Sequence, residues 1–286
     1  MSRIKIAIQK KGRLSEKSRA LLKECGIKIN TGKANSLISS ASNFPIDILY
    51  LRDDDIPKYV EDGTADIGIL GENVVYETGC RVNTIRKLGF AGCRLSLAVP
   101  KSVDYTDVSF FEGKKIATSY PKLTNDYLKK NGVRAEIHKI SGSVEIAPNI
   151  GLADGICDLV SSGSTLFSNG LKEVDRILES EAIMIANTNL DDTQQTIVDK
   201  LLFRLAAVQK ATNNKYIVLN VPNDKIEAVS AALPGMKAPT VVPLATPGWS
   251  ALHSVVSEEQ FWEVIDELKV RGAEGILVVP IEKMIV

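Results

Sequence analysis

Short apolar runs that alternate with helical segments constrain the fold more than any other feature of this chain. The runs IKIAI at 4–8, IDILYL at 46–51 and ADIGIL at 65–70 are each followed by a turn or an amphipathic segment. Continuous apolar runs of this length are typical of buried parallel strands. The order strand, loop, helix therefore predicts an α/β fold with a mainly parallel sheet.

The same rhythm restarts near residue 115 and predicts a second α/β lobe inserted into the first. The strands of this lobe are predicted at 115–118, 136–140 and 156–160. The apolar run AIMIA at 182–186 is expected to return the chain to the first lobe. We therefore expect lobe I to span 1–100 with 182–210, and lobe II to span 101–181.

The C-terminal segment, residues 211–286, has a different order of elements. Its strands are predicted at 215–221, 240–244, 249–256 and 275–280. Asn223 and Ser257 are expected to cap the two helices that follow the first and third of these strands. The resulting order, βαββαβ, predicts a ferredoxin-like (ACT-like) domain.

Composition excludes several classes of function. The 286 residues allow two or three domains of roughly 100 to 200 residues each. Lys plus Arg equals Asp plus Glu at 35 each, which argues against nucleic-acid or membrane-surface partners, so local geometry must hold any anionic ligand. The absence of an export signal, of an apolar span of ~20 residues and of paired cysteines predicts a cytoplasmic protein.

The most informative stretch for function follows the strand predicted at 156–160. This stretch is a turn of small residues, Ser161, Ser162, Gly163, Ser164 and Thr165, ahead of an apparent helix. Small residues let backbone amides converge on a phosphate, and hydroxyls and a helix N-terminus add to the attraction. The alternative is an ordinary βα turn in which Thr165 is an N-cap.

Three carboxylates lie close to this turn in the sequence. Asp158 is near the C-terminal end of its strand, where open α/β sheets bind ligands, and Asp154 and Glu145 precede it. A sugar phosphate needs acceptors for its hydroxyls beside donors for its phosphate. The alternatives are a surface charge for Asp154 and a dipole-favoured first-turn residue for Glu145.

A second set of charged residues flanks the strands of lobe I. Lys11 and Arg13 follow the first strand, where loop cations can meet phosphates or simply be solvated. Asp66 and Glu72 flank a strand and its loop, and either can orient a base or Mg²⁺ or act as a structural cap. Arg94 opens a strand that is expected to border the cleft.

Several ordered motifs resemble the ATP phosphoribosyltransferases. The longest is EIAPxxGLADxICDLVSSGSTLxxNGL at 145–171. The others are KGRL at 11–14, ADIGILG at 65–71, LPGxxxPTVxPL at 233–244 and WxAxHxVV at 249–256. Because the motifs cover the whole chain, the resemblance is to the long form of the family, whose two catalytic lobes are similar to the type II periplasmic-binding-protein fold.

The resemblance implies attack by adenine N1 of ATP on C1′ of phosphoribosyl pyrophosphate, the first step of histidine biosynthesis. It implies that residues 161–165 hold the 5′-phosphate, that Asp158 and Asp154 meet the ribose hydroxyls, and that Glu145 or Asp158 is the catalytic carboxylate. Mg²⁺ is the implied cofactor, held mainly by substrate phosphates. The residues assigned to ATP or pyrophosphate are Lys11, Arg13, Asp66, Glu72 and Arg94.

The resemblance also implies that the C-terminal domain binds histidine as a feedback inhibitor. The candidate contacts are Asp224, Thr240 and His253, against the alternatives of a cap, a strand hydroxyl and a packed ring. It implies a homo-oligomer, as a dimer or hexamer, without a separate regulatory subunit. Two rival functions remain: a solute-binding module without chemistry, and the effector domain of a regulator.

Overall fold

The computed structural model describes residues 2–30, 36–235 and 238–285. Within them the chain forms two compact units. The first contains the residues up to Lys23 together with Ile27–Val198, and the second contains Glu24–Gly26 together with the residues from Asp199 onwards. No helix among the described residues is both long enough and apolar enough to cross a membrane.

The elements of the first unit alternate between strands and helices along most of its length. In chain order they are β1 Ile4–Gln9, α1 Arg13–Glu24, β2 Ile38–Ser40, β3 Ile46–Leu51, α2 Ile56–Glu61, β4 Ile67–Gly71, α3 Glu72–Thr78, β5 Asn83–Lys87, β6 Cys93–Pro100, β7 Lys115–Thr118, α4 Pro121–Lys130, β8 Glu136–Lys139, β9 Gly155–Val160, α5 Ser164–Ser168, β10 Leu171–Ser180 and β11 Ala182–Ala186. Helix α6 follows at Asp192–Thr212.

Lobe I is built on a sheet with the strand order β2-β3-β1-β4-β11-β5. Strand β1 pairs in parallel with both β3 and β4, so these three strands end at one edge, called here the carboxyl edge of the sheet. Ile4, Ile6 and Ile8 of β1 are fully buried, as expected for a central strand covered on both faces. Strand β11 pairs antiparallel with β4 and β5, which returns the chain to lobe I.

Lobe II is built on a second sheet, with the strand order β10-β6-β9-β7-β8. Strand β7 pairs in parallel with β8 and β9, whereas β6 pairs antiparallel with β9 and β10. Residues 93–100 therefore belong to lobe II, and the prediction that lobe I extends to residue 100 is wrong at this strand. The apolar run of β6 identifies a buried strand but carries no information on which sheet buries it.

The C-terminal elements have the predicted βαββαβ order. They are β12 Asn214–Pro222, α7 Ile226–Ala232, β13 Thr240–Pro243, β14 Trp249–Ser257, α8 Glu258–Val270 and β15 Glu274–Pro280. The antiparallel sheet order β13-β14-β12-β15 is that of a ferredoxin-like domain. Alternate residues of β12, namely Ile217, Leu219 and Val221, are fully buried in a core that includes Phe261 and Leu268 of α8.

Candidate active site

A cavity of about 490 Å³ lies between the two lobes of the first unit. Lobe I contributes the segment after β3 and one side of α3, and lobe II contributes the segments after β7 and β8. The lining residues are Arg52, Asp53, Asp54, Val74, Glu77, Thr78, Ser119, Tyr120, Lys139, Ser141 and Gly142. We call it the interlobe cavity; its volume is within the range of small-molecule sites, roughly 300 to 1,000 Å³.

A second cavity, of about 500 Å³, lies beside the two connections between the lobes. It is lined by residues of β10, by the segments after β5 and β9, and by the start of β6. The lining residues are Glu72, Lys87, Gly89, Phe90, Gly92, Cys93, Arg94, Ser161, Glu179, Ser180 and Glu181. We call it the hinge cavity; it brings Glu72 and Arg94, two predicted site residues, next to the first residue of the serine-rich loop.

The serine-rich loop, residues 161–165, follows β9 at the carboxyl edge of lobe II. Gly163 has a φ of 79°, a left-handed conformation that suits glycine, and α5 starts at the next residue. The hydroxyls of Ser162 and Ser164 lie 3.0 Å apart, and the Ser164 amide donates to Ser162 Oγ at 3.4 Å. The first amides of a helix have no intrahelical partner, so the loop presents donors to solvent. This is the chemistry that an anionic group requires.

Arg94 supports this loop from the neighbouring strand β6. Its Nη1 donates to the Ser161 carbonyl at 3.0 Å, while its Nε donates to Glu173 Oε1 at 2.6 Å and its Nη2 pairs with the same carboxylate. Ser96 Oγ adds a hydrogen bond of 2.8 Å to Glu173 Oε1. The hydrogen bonds from Arg94 hold the pKa of Glu173 below its ordinary value. Much of the Arg94 guanidinium is thus committed to Glu173 and to the loop.

Asp158 and Glu145 lie close together beside the loop. Asp158 is half-buried in β9, and burial, together with the charge of Glu145, raises its pKa. The amide of Leu159 donates to Asp158 Oδ1 at 2.8 Å. Burial and the charges of Asp158 and Asp53 raise the pKa of Tyr120, so carboxylates from both lobes approach this phenol. Asp158 therefore lies within electrostatic range of Glu145 and of Tyr120, which lines the interlobe cavity.

Asp154 and Asp66 both lie at the edge of their sheet where the parallel strands begin, opposite the carboxyl edge. Asp154 precedes β9, where its Oδ2 accepts from the Lys115 amide at 2.9 Å. Asp66 precedes β4, where its Oδ2 accepts from the Lys5 amide at 2.6 Å and its Oδ1 from Gln194 Nε2 at 2.5 Å. Strand β4 has five residues and β9 has six, which makes them about 17 and 20 Å long, so neither carboxylate is near the carboxyl edge. Both residues bind their own sheets, and the structure does not support a ligand role for either.

The remaining residues predicted for lobe I are at the carboxyl edge. Lys11 and Arg13 follow β1 and are exposed. Glu72 opens α3 after β4; its Oε1 accepts from the Tyr76 hydroxyl at 3.1 Å and its Oε2 lies 3.8 Å from Lys87 Nζ. These three residues are placed where they can meet a ligand in the cleft.

Arg52, Tyr120 and Lys139 line the interlobe cavity, and the sequence analysis overlooked them. Arg52 directly follows β3, Tyr120 lies two residues after β7, and Lys139 ends β8. The rule that selected Lys11, namely a charged or polar residue at the end of a parallel strand, applies equally to these positions. Their positions at strand ends could have identified these three residues, but none of them lies in a recognised sequence motif.

The predicted histidine contacts are only partly brought together in the C-terminal domain. Thr240 and His253 are direct cross-strand partners on β13 and β14, and the Tyr216 hydroxyl lies 2.8 Å from His253 Nδ1. Asp224 is in a 3-10 turn beyond the end of β12, where Pro222 pairs with Trp249, four residues along the sheet from His253. Thr240 and His253 therefore form one candidate site with Tyr216, and Asp224 lies away from it.

The fold and this site define a class: two-lobed α/β proteins of the type II periplasmic-binding-protein kind, extended here by a ferredoxin-like domain. The substrate-binding protein of an amino acid ABC transporter has a TM-score of 0.50 at 12% identity over 73% of this chain and 93% of its own, a likeness of fold alone. The chain belongs to the ATP phosphoribosyltransferase family: that family's model matches residues 52–207, and the model of the HisG C-terminal domain matches residues 211–283.

Full-length relatives and a solved structure agree with this assignment. The ATP phosphoribosyltransferase of Cytophaga hutchinsonii is 57% identical over 99% of this chain and 98% of its own length. That of Bacteroides thetaiotaomicron is 56% identical over 99% of this chain and all of its own. The structure of the ATP phosphoribosyl transferase (HisG:HisZ) complex from Thermotoga maritima is similar with a TM-score of 0.63 and 31% identity, over 71% of this chain and 96% of that one.

Proposed function

We propose that this chain joins ATP to phosphoribosyl pyrophosphate, giving N1-(5-phosphoribosyl)-ATP and pyrophosphate, the first step of histidine biosynthesis. The lone pair of adenine N1 forms the new bond to C1′, and the bond from C1′ to the pyrophosphate oxygen breaks. Because N1 already carries a lone pair, no base is needed to activate it. The observation that carries the proposal is the serine-rich loop beside Asp158 and Glu145, in a chain of this family.

The roles of the loop and the carboxylates follow from their chemistry. The exposed amides and hydroxyls of residues 161–165 bind the 5′-phosphate. Asp158 accepts hydrogen bonds from the ribose hydroxyls, and its charge or that of Glu145 stabilises the positive charge that develops on the sugar. The remaining work is alignment of the two substrates, which does not require a covalent intermediate.

Cations on both sides of the cleft suit the phosphates of ATP and the leaving pyrophosphate. We assign Lys11, Arg13 and Arg52 of lobe I and Lys139 of lobe II to this role. Of the two acidic residues that the sequence predicted for lobe I, only Glu72 lies beside a cavity, the hinge cavity. Arg94 lies at the hinge cavity, where it holds the serine-rich loop through the Ser161 carbonyl. Its N–H groups that are not bound to Ser161 or Glu173 are assigned to the leaving pyrophosphate.

The residues of the cleft fit a divalent metal that substrates carry in. Among the described residues no group of three or more His, Cys, Asp or Glu is placed to hold a metal ion. Mg²⁺ in phosphate-binding sites keeps one or two carboxylates and takes its other ligands from phosphates and water, and Asp158 and Glu145 can supply such carboxylates. The chemistry that Mg²⁺ would supply there is positive charge to offset that of the pyrophosphate.

The C-terminal domain, which we place at residues 211–286, is proposed as the histidine sensor. Thr240, Tyr216 and His253 supply a hydroxyl, a phenol and an imidazole for an amino acid ligand. Because these residues belong to the same chain, we propose that histidine inhibits without a separate regulatory subunit.

Assembly and location complete the proposal. Tyr216, Leu277 and Val279 are exposed apolar residues on neighbouring strands of the C-terminal sheet, which supports a homo-oligomer, as a dimer or hexamer. The four cysteines are free thiols, which suits the reducing cytoplasm. The equal numbers of acidic and basic residues favour neither a nucleic acid nor a membrane as partner.

One assay separates the transferase from a solute-binding module or an effector domain. The protein is mixed with ATP, phosphoribosyl pyrophosphate, Mg²⁺ and pyrophosphatase, and the absorbance of the N1-substituted adenine is followed. A transferase gives a signal that depends on both substrates and that falls in Asp158→Asn. A folded protein at high concentration that binds ATP but gives no signal contradicts the proposal.

A further inference from the structure

A carboxylate of lobe I binds the first amides of a helix of lobe II. Glu77, near the end of α3, accepts from the Lys122 amide through Oε1 and from the Leu123 amide through Oε2, both at 2.9 Å. The side chain is half-buried. These two hydrogen bonds connect the lobes directly at the wall of the interlobe cavity, which Glu77 itself lines.

Helix α4 depends on this carboxylate because its own sequence supplies no cap. Tyr120 occupies the N-cap position, and its side chain makes no capping hydrogen bond within the described part of the chain. Pro121, the first helical residue, has no N–H, so Lys122 and Leu123 carry the first amides that lack an intrahelical partner. A carboxylate is the group that such amides and the helix dipole favour most.

The other end of α3 is also bound to lobe II. The Asn73 amide donates to Ser180 Oγ at 3.1 Å, and Ser180 Oγ donates to Asn73 Oδ1 at 2.9 Å. Both residues are buried, and Ser180 ends β10. Lobe II therefore holds α3 at both of its ends, so this helix is placed to set the separation of the lobes.

The turn that precedes α4 is hydrogen-bonded within lobe II. Tyr120 is held by its amide, which donates to Thr118 Oγ1 at 2.9 Å, and by its carbonyl, which accepts from Thr124 Oγ1 at 2.7 Å. Ser119 Oγ donates to the Ile140 carbonyl at 2.6 Å. Because these hydrogen bonds tie the turn to the rest of lobe II, the hydrogen bonds that Glu77 accepts are placed to set the distance between Tyr120 and the opposite wall of the interlobe cavity.

We propose that Glu77 is a positioning residue that holds the two lobes at the separation that binds the phosphorylated substrates. The inference rests on the proposed transferase function. Glu77 acts through α4 and the turn before it, by keeping the molecule in a binding-competent arrangement. If its loss reduces the competent fraction to about a tenth, the apparent dissociation constant rises about tenfold while the chemistry of the bound complex is unchanged.

The test compares Glu77→Ala and Glu77→Gln with Asp126→Ala as a matched control. Asp126 is an exposed carboxylate of α4, the helix whose amides Glu77 binds. It pairs with Lys122 Nζ at 3.0 Å and lines neither cavity. Three kinds of quantity are measured: hydrogen exchange of the amides of residues 122–124, ATP binding by calorimetry, and the steady-state KM and kcat. For Glu77→Ala we expect faster exchange, a KM for ATP raised about tenfold and a kcat within about twofold of the wild type. Asp126→Ala should match the wild type in all three quantities.

Three outcomes overturn the proposal. Faster exchange without weaker ATP binding makes Glu77 a structural cap only. A lower kcat at unchanged KM makes it a residue of the chemical step. If Glu77→Ala does not fold, Glu77→Gln is used in its place, because glutamine keeps the size of the side chain and one acceptor. Wild-type hydrogen exchange and wild-type ATP binding in Glu77→Gln contradict the positioning role of Glu77. If the wild-type protein has no transferase activity, the proposed function is refuted. Hydrogen exchange and ATP binding then still test whether Glu77 positions the lobes.

Discussion

Asp66 and Asp154 occupy equivalent positions in the two lobes. Each precedes a strand by one residue and exchanges two hydrogen bonds with a lysine at the start of the neighbouring parallel strand. The amide of Asp66 donates to the Lys5 carbonyl at 3.0 Å, and that of Asp154 donates to the Lys115 carbonyl at 2.9 Å. The reverse bonds, from the lysine amides to the carboxylates, are 2.6 and 2.9 Å. Both lobes thus have the same reciprocal pair of Asp–Lys hydrogen bonds at the start of their parallel strands.

Replacement of these aspartates is expected to affect stability and not substrate binding. Asp66 is buried and accepts two hydrogen bonds, so Asp66→Ala leaves two donors unsatisfied and lowers the free energy of unfolding by about 2 kcal/mol. Asp154 is exposed, so Asp154→Ala costs no more than about 1 kcal/mol. Urea unfolding measures both. A large rise in the KM of phosphoribosyl pyrophosphate for Asp154→Ala, with stability unchanged, would restore it as a ribose ligand.

Asp158→Asn and Thr165→Ala are expected to weaken phosphoribosyl pyrophosphate binding. Under the proposed function, Asp158→Asn removes the charge that would strengthen hydrogen bonds to the ribose, and Thr165→Ala removes a hydroxyl of the serine-rich loop. Loss of one such hydrogen bond raises the KM about tenfold. Ser168→Ala, at the exposed end of α5 outside the loop, is the control and keeps the wild-type KM. Wild-type kinetics in both test variants would remove the site from this loop.

The order of most elements was predictable because buried strands and amphipathic helices leave a local pattern in the sequence. Buried strands such as β1 and β9 are continuous apolar runs, and residues 211–286 follow the βαββαβ order that the structure shows. The short strand β5 has no buried residue in its pattern and was not foreseen. It was also not predictable which of the two sheets contains β6, since strand pairing depends on contacts between residues distant in sequence.

The site was predictable to the extent that it follows from strand direction. Asp158 and residues 161–165 follow the apolar core of β9 and reach the cleft. Asp154 and Asp66 were selected by their nearness to motifs, yet they precede their strands and lie at the other edge. The bonds from Glu77 to α4 join residues 45 and 46 positions apart in different lobes, and no pattern within either segment indicates them.

Glu173→Gln is expected to weaken substrate binding and to change the acid sensitivity of the fold. The pKa of Glu173 is below its ordinary value of 4.5, mainly because Arg94 donates hydrogen bonds to it. A carboxyl whose folded pKa lies below its unfolded pKa stabilises the fold above the unfolded value, and this stabilisation is lost as the pH falls through the folded value. Wild type should therefore exceed Glu173→Gln in stability at pH 7, and the difference should shrink below pH 4.5.

Urea unfolding at several pH values measures that difference, and KM measurements report on the loop. Because Arg94 also holds the Ser161 carbonyl, its release from Glu173 should loosen the loop and raise the KM of phosphoribosyl pyrophosphate. Asp126→Asn is the control, since this carboxylate is exposed, pairs with Lys122 and lines neither cavity. A stability difference that stays constant from pH 7 to pH 3 would show that the charge of Glu173 does not contribute.

Thr240→Val and His253→Phe are expected to relieve inhibition by histidine. Both changes keep the size of the side chain but remove the polar atoms that the two cross-strand partners present, and His253→Phe also removes the partner of the Tyr216 hydroxyl. The histidine concentration for half inhibition should rise about tenfold or more, as for the loss of one charge-assisted hydrogen bond. Glu259→Gln, in the exposed first turn of α8, is the control. Since Asp224 lies away from the Thr240–His253 pair, relief in Asp224→Asn with normal inhibition in the other two variants would move the sensor site to the turn after β12.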